Sequence, residues 1–223
     1  MTLKLFFQAM GKIAFGIVLV GALLFLPAGT ILFRNAWILM VLLFVPMFIA
    51  GIVMMFKNPE LLKRRLNAKE TQKEQNFIVK LSALMFIAGF IVAGIDYRFE
   101  WTGVPKSIII IAVIIFLTAY LLYAEVIREN AYLSRTIEVQ ENQIVIDTGL
   151  YGFVRHPMYT ATILLFLSMP IILGSLWAFV IFLAYPFIIA SRIKFEEEYL
   201  EKELSGYREY KKKVKYRLIP FLW

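Results

Sequence analysis

The chain of 223 residues is 61% hydrophobic and 18% charged, with a mean hydropathy of +0.73 and a formal net charge of +8. It has no cysteine and one histidine, which removes disulfides, thiolate nucleophiles, Cys-ligated metals and multi-histidine metal sites; a site of carboxylates alone is what composition leaves to a metal, and none is expected. Its basic residues flank long apolar runs, as in loops held against anionic headgroups, so the charge points to membrane lipids and not to nucleic acid.

Apolar runs of about 18 residues or more signal helices that cross a bilayer. Ile13 to Phe33 is uncharged and long enough to span once. It is too long for the apolar core of a cleavable signal peptide, and Pro27 is placed to kink it. The connection RNAW is so short that Ala36 to Phe56 must return antiparallel. KNPELLKRRLNAKETQKEQ, residues 57–75, holds six basic and three acidic residues and is assigned to the cytoplasm. Phe77 to Ile95 is the third span, with Lys80 near enough to its end to snorkel. DYRFEWTGVP forms an outer loop. Lys106 to Ala124 is the fourth span, its helix continuing through EVIRENAYLSR. TIEVQENQIVIDTGLY then alternates β-branched residues around a polar turn, which predicts a short cytoplasmic hairpin or paired loop.

Met158 to Ala190 contains no formal charge. As one straight helix it would measure about 50 Å, against a hydrocarbon core of about 30 Å. Pro170, Gly174 and Ser175 in MPIILGS supply a turn, so the stretch is read as a helical hairpin with somewhat short or tilted arms and both ends in the cytoplasm. The tail carries Leu200, Leu204, Tyr207 and Val214 at helical spacing among alternating charges, an amphipathic helix on the membrane surface. RLIPFLW brings an apolar segment back to the interface. The expected fold is an all-α polytopic membrane protein with about six transmembrane helical segments, the last two forming the hairpin, and a cytoplasmic amphipathic C-terminal helix.

Three polar clusters border these runs. In VRHPMY, Pro157 suits the first helical position, which puts His156 at the cap, Arg155 just outside and Tyr159 on nearly the same face. A helix start with an arginine beside it favours an anionic ligand group, although arginine and histidine also mark helix ends without any site. In SRIKFEEEYL, Arg192 and Glu196 stand four residues apart beside Glu197, and the hairpin returns them toward Arg155 and His156. They are either a carboxylate site or a solvated helix face. In YAEVIRENAYLSR, Glu125, Arg128 and Glu129 fit ordinary ion pairs better than a site, and Asn130 is a weaker polar candidate. The sequence has neither nucleotide-binding glycine fingerprint, nor GxSxG, nor HExxH.

QIVIDTGLYGFVRHPMYTATILLFLSMP followed by RIKFEEEYLEKELSGYREYKKKVKYRLIP resembles the C-terminal catalytic region of the isoprenylcysteine carboxyl methyltransferase family. The likeness rests on a glycine–aromatic turn, RHPxY, a helical hairpin, EExxL and a closing RxIP over residues 125 to 223. The departure is LSGYREY, where many relatives carry FGxxY. The apolar runs make residues 1–124 an N-terminal four-helix membrane region, and the resemblance implies 125–223 as the catalytic region. It also implies S-adenosylmethionine as donor, held by His156, Tyr159, Glu196 and Glu197, with the backbone of Thr148, Gly149, Leu150 and Tyr151 as a cradle. Arg155 and Arg192 would hold an anionic acceptor or the cofactor carboxylate, and Glu196 or Glu197 would serve as base if the acceptor were an amine. The acceptor would be lipid-like or lipidated, such as a prenylcysteine carboxylate, with phospholipid amines or small thiols as alternatives. An NADPH-dependent sterol-type reductase and a non-enzymatic scaffold are the competing readings. The compact size points to a prokaryotic plasma membrane.

Overall fold

The computed structural model describes residues 3–66, 73–134 and 136–223, and among them the regular structure is helical. The basic loop expected over 57–75 lies partly outside the described residues, as does Arg135. Four long apolar helices come first: α1 (Leu3–Ala28), α2 (Arg34–Lys57), α4 (Lys73–Phe99) and α5 (Lys106–Glu129), with a short α3 (Pro59–Leu66) after α2. Each of the four is long and apolar enough to cross a membrane. α6 (Pro157–Leu173) has 17 residues, and α7 (Leu176–Phe182) runs into α8 (Ala184–Glu203) as a fifth candidate span of 28 residues. This is an integral membrane protein with six apolar segments, the last two paired.

The pairing has a local cause. Gly174 takes the left-handed conformation (φ 83°) that closes α6, and the Ser175 side chain accepts from the Ala178 N–H to start α7. Pro170 sits inside α6, and its carbonyl accepts the Ser175 N–H at 3.0 Å. The tip is tied to the end of α4. Asp96, 1% exposed, accepts from the Thr102 N–H (2.8 Å), the Thr102 hydroxyl (2.6 Å) and the Ser175 hydroxyl. The Thr102 hydroxyl in turn accepts from the Leu176 N–H at 3.0 Å.

One apolar core runs through the bundle, from Leu24 and Phe33 through Phe90 and Phe116 to Phe182 and Ile193. Small residues let the helices close on it: Gly94 brings α4 against the Leu24 carbonyl of α1, and Gly89 leaves room for the Phe182 ring. At the opposite end from the hairpin tip, the start of α1, the end of α2 and α3 share a cluster of Leu5, Ala9, Met55 and Leu62. Arg64 of α3 reaches the Ala131 carbonyl just past α5 (3.4 Å), so the end of α5 and the starts of α1 and α4 lie on one side.

Three local expectations need correction. α5 stops at Glu129, because the Asn130 side chain accepts the Tyr132 N–H at 3.0 Å and turns the chain. The alternating segment after it makes a turn, with the Gln143 N–H on the Gln140 carbonyl (3.1 Å), but no strand. Its backbone is met by side chains instead, the Gln140 N–H by Gln143 Oε1 (2.9 Å) and the Tyr132 carbonyl by Gln140 Nε2 (2.8 Å). The tail helix is broken at Gly206 (φ 84°), and a separate α9 (Tyr207–Lys213) follows. Leu204, Tyr207, Tyr210 and Val214 bury themselves against Val139 and Val145 of that irregular segment, so their apolar face meets protein.

Candidate active site

The hairpin brings the RHPxY and EExxL elements together. Proline at the first position of α6 leaves His156 as its cap residue, and α8 ends on the same side. Glu197, nearly two turns from the end of α8 and 2% exposed, is where they meet. It accepts from Arg155 Nε (2.7 Å) and Arg217 Nε (3.1 Å), lies 3.2 Å from His156 Nε2 and is 3.6 Å from Lys211 Nζ. Because the oxygen facing His156 is a carboxylate acceptor, that ring nitrogen carries the proton.

Arg155 and His156 are also strapped to the C-terminal segment. The Arg155 N–H donates to the Tyr216 carbonyl and the His156 N–H to the Arg217 carbonyl, both at 2.9 Å. Arg155 Nη1 donates to the carbonyls of Val214 (2.6 Å) and Lys215 (2.8 Å), and the Thr160 hydroxyl to that of Leu218 (2.8 Å). Most of the Arg155 fork is thereby spent inside the protein.

On the other side of His156 a second relay faces open space. Tyr159 donates to Glu196 Oε2 at 2.5 Å and accepts from Arg192 Nε at 2.8 Å. The His156 and Tyr159 rings lie 5.7 Å apart at 28°. Tyr151 is brought to the same wall by the 3₁₀ turn Gly149–Gly152. Glu129 accepts the Leu150 N–H (2.9 Å), Asn130 donates to the Tyr151 hydroxyl (3.0 Å), and Tyr210 donates to the Tyr151 carbonyl (2.8 Å). Burial pushes the Tyr151 phenol up to about 12, so it is neutral at physiological pH.

These groups enclose a cavity of about 850 Å³, its open mouth included. Its walls are Arg155, His156, Met158 and Tyr159 from the start of α6, Arg192, Glu196, Leu200 and Leu204 from α8 and its end, Tyr151, Tyr207 and Tyr210. A cap of Asn130, Tyr132 to Ser134, Thr136 to Glu138 and Gln143 to Ile146 completes it. Lys213 pins that cap at Asp147 (2.6 Å), and its hydrogen bond holds the Asp147 carboxyl below the usual range.

Of the residues singled out in the sequence, Arg155, His156, Tyr159, Arg192, Glu196 and Tyr151 share this cavity. Glu197 lies behind it, and Thr148, Gly149 and Leu150 support Tyr151 without lining the wall. Glu125 and Arg128 form an exposed ion pair away from it, as the ordinary reading has it. Sequence reasoning passed over Tyr207, read as part of one face of a surface helix, Tyr210, which it did not single out, and the cap, whose apolar alternation was its only signal. It also passed over Arg217 as a partner of Glu197.

Residues 107–206 match the family model for phospholipid methyltransferase. Over those residues the chain is similar to a methyltransferase domain of that membrane superfamily. It is an enzyme, and S-adenosylmethionine is its methyl donor. The match begins at the second residue of α5 and closes at Gly206, so it takes in Tyr151, the whole hairpin and both clusters. No curated protein matches the chain. The cavity suits this donor by its chemistry: a carboxylate at Glu196 for cationic groups, guanidinium and imidazole for a carboxylate, and apolar walls with tyrosine rings for a purine. Tyr207 adds a buried hydroxyl with no partner among the described residues, as expected of a wall built around a polar ligand.

Proposed function

We propose that this methyltransferase acts on the polar head of a lipid-like or lipidated acceptor, a prenylcysteine carboxylate first among them, at the cytoplasmic face of a prokaryotic plasma membrane. The observation that carries this reading is the place of the cavity. It lies where the polar ends of α6 and α8 emerge from apolar spans, so an acceptor's tail remains in the bilayer while its head enters. The cytoplasmic assignment rests on the basic residues of α3 and α9, which flank the same end.

His156, Tyr159, Tyr151 and Glu196 hold the donor in this reading. Arg192, directed at the Tyr159 hydroxyl on the cavity wall, orients an anionic acceptor. Glu197 acts from behind, fixing His156, and Arg155, on the wall but with most of its fork spent inside the protein, holds Glu197 in place. The donor's sulfonium supplies an already activated methyl group, so the protein's share is positioning. A carboxylate acceptor is ionised at neutral pH and requires no base. A phospholipid amine is the second reading, favoured by the name of the matched family and by Glu196 facing the cavity, where it would take the amine's proton.

The test is methyl transfer from labelled donor to a panel of prenylcysteines, aminophospholipids and small thiols. Transfer to prenylcysteine at a rate flat between about pH 6 and 9 supports the first reading, because a carboxylate is already ionised there. Transfer to the amine at a rate rising with pH, and lost in Glu196→Gln, replaces it with the second. Equal efficiency on an acceptor stripped of its tail defeats the lipid requirement in both.

A further inference from the structure

Four tyrosines of the cavity wall differ in what their hydroxyls do. Tyr151 accepts from Asn130, Tyr159 bridges Arg192 and Glu196, and Tyr210 donates to the Tyr151 carbonyl. Tyr207, the first residue of α9, is 4% exposed, and its hydroxyl is buried with no hydrogen-bond partner among the described residues. Buried polar groups are paired in the great majority of cases, and an unpaired hydroxyl is a standing cost to the folded state. Burial raises the phenol well above its ordinary range, so it stands as a neutral O–H with a proton to give.

We propose that Tyr207 is a binding residue for the methyl donor, its buried hydroxyl donating a hydrogen bond to an acceptor atom of the nucleoside or amino-acid part. This rests on the reading that the donor occupies this cavity. The donor and not the lipid is the ligand because Tyr207 belongs to the capped side. It packs with Leu204, Tyr210 and Val214 against Val139 and Val145 of the irregular segment, away from the membrane-embedded length of α6 and α8. S-adenosylhomocysteine offers acceptors on its purine, ribose and carboxylate, whereas an alkyl tail offers none. The hydroxyl is held where it is by the neighbouring ring of Tyr210, 5.7 Å away, and by the left-handed Gly206 that sets the start of α9.

The experiment compares Tyr207→Phe with Tyr210→Phe and the unaltered full chain in detergent, by titration with S-adenosylhomocysteine and by thermal unfolding without ligand. Removing the Tyr207 hydroxyl should weaken binding about three- to tenfold, the worth of one neutral hydrogen bond. The ligand-free midpoint should hold or rise, because an unpaired group has gone. Tyr210→Phe should lower that midpoint, because its hydroxyl is paired within the fold. A purely structural Tyr207 would give the opposite signature. Unchanged affinity, a fall in midpoint like that of Tyr210→Phe, or failure of Tyr207→Phe to fold each overturns the assignment. An unaltered chain that does not bind S-adenosylhomocysteine overturns the cavity reading itself, a separate result from a variant that binds as well as the parent.

Discussion

A single carboxylate, Glu197, answers to four cationic or imidazole groups, of which Arg155 and His156 are themselves buried. Breaking a buried pair by removing one partner costs about 3–5 kcal/mol, because the other charge is left without compensation. Glu197→Gln keeps the shape and removes the charge, so its thermal midpoint should fall by many degrees and its affinity for S-adenosylhomocysteine should fall with it, as His156 loses its anchor. Circular dichroism and a ligand titration on the same preparation check both. Gly149 is a second position where one atom decides. Its φ is +51°, and an added Cβ would run into the Glu129 carboxylate that holds the Leu150 N–H. Gly149→Ala should therefore cost about 1–3 kcal/mol from backbone strain before the clash is counted. Glu125→Gln, in an exposed pair, should leave unfolding and binding unmoved, as measured in the same way.

The hairpin converts a long apolar stretch into a site by returning its polar end, and its tip is fixed separately from its mouth. α6 spans about 25 Å at the standard rise, which sets the Asp96–Thr102–Ser175 network far from His156. Asp96→Ala strands the Thr102 N–H and two hydroxyls in a buried place, at about 1–3 kcal/mol for an unsatisfied group. The expected result is a lower unfolding midpoint with affinity for S-adenosylhomocysteine held within about twofold, since distant sites act independently. A loss of affinity comparable to that of Glu197→Gln would mean that the tip and the mouth move as one element.

Much of this molecule is legible in its sequence, for identifiable reasons. A charge-free run longer than the bilayer has to fold back, and the turn residues Gly174 and Ser175 mark where. Helical spacing on α8 and proline at the start of α6 then place Glu196, Glu197, His156 and Tyr159 within reach of one another. The strap over Arg155 and His156 was not legible, because the groups that accept from them are backbone carbonyls of 214–217, which any residue supplies. Periodicity also misassigned the tail: it reports that Leu204, Tyr207 and Val214 share a buried face, but not whether lipid or protein covers it. Protein covers it, and the cap is therefore closed by buried tyrosines. That closure has a pH signature. Burial pushes Tyr151 up to about 12 and raises Tyr207 and Tyr210 well above the ordinary phenol value. In the unfolded chain these phenols ionise near pH 10. Their contribution to stability is thus complete below about pH 10 and is lost as pH climbs from there through about 12, because the unfolded state releases protons that the folded state retains. Thermal midpoints measured from neutral pH upward should hold level and then fall above about pH 10. Tyr151→Phe, which keeps the carbonyl that Tyr210 uses, should soften that fall while lowering the neutral-pH midpoint by the loss of the Asn130 bond. An identical alkaline slope in the variant would mean that the tyrosine wall does not hold the cap closed.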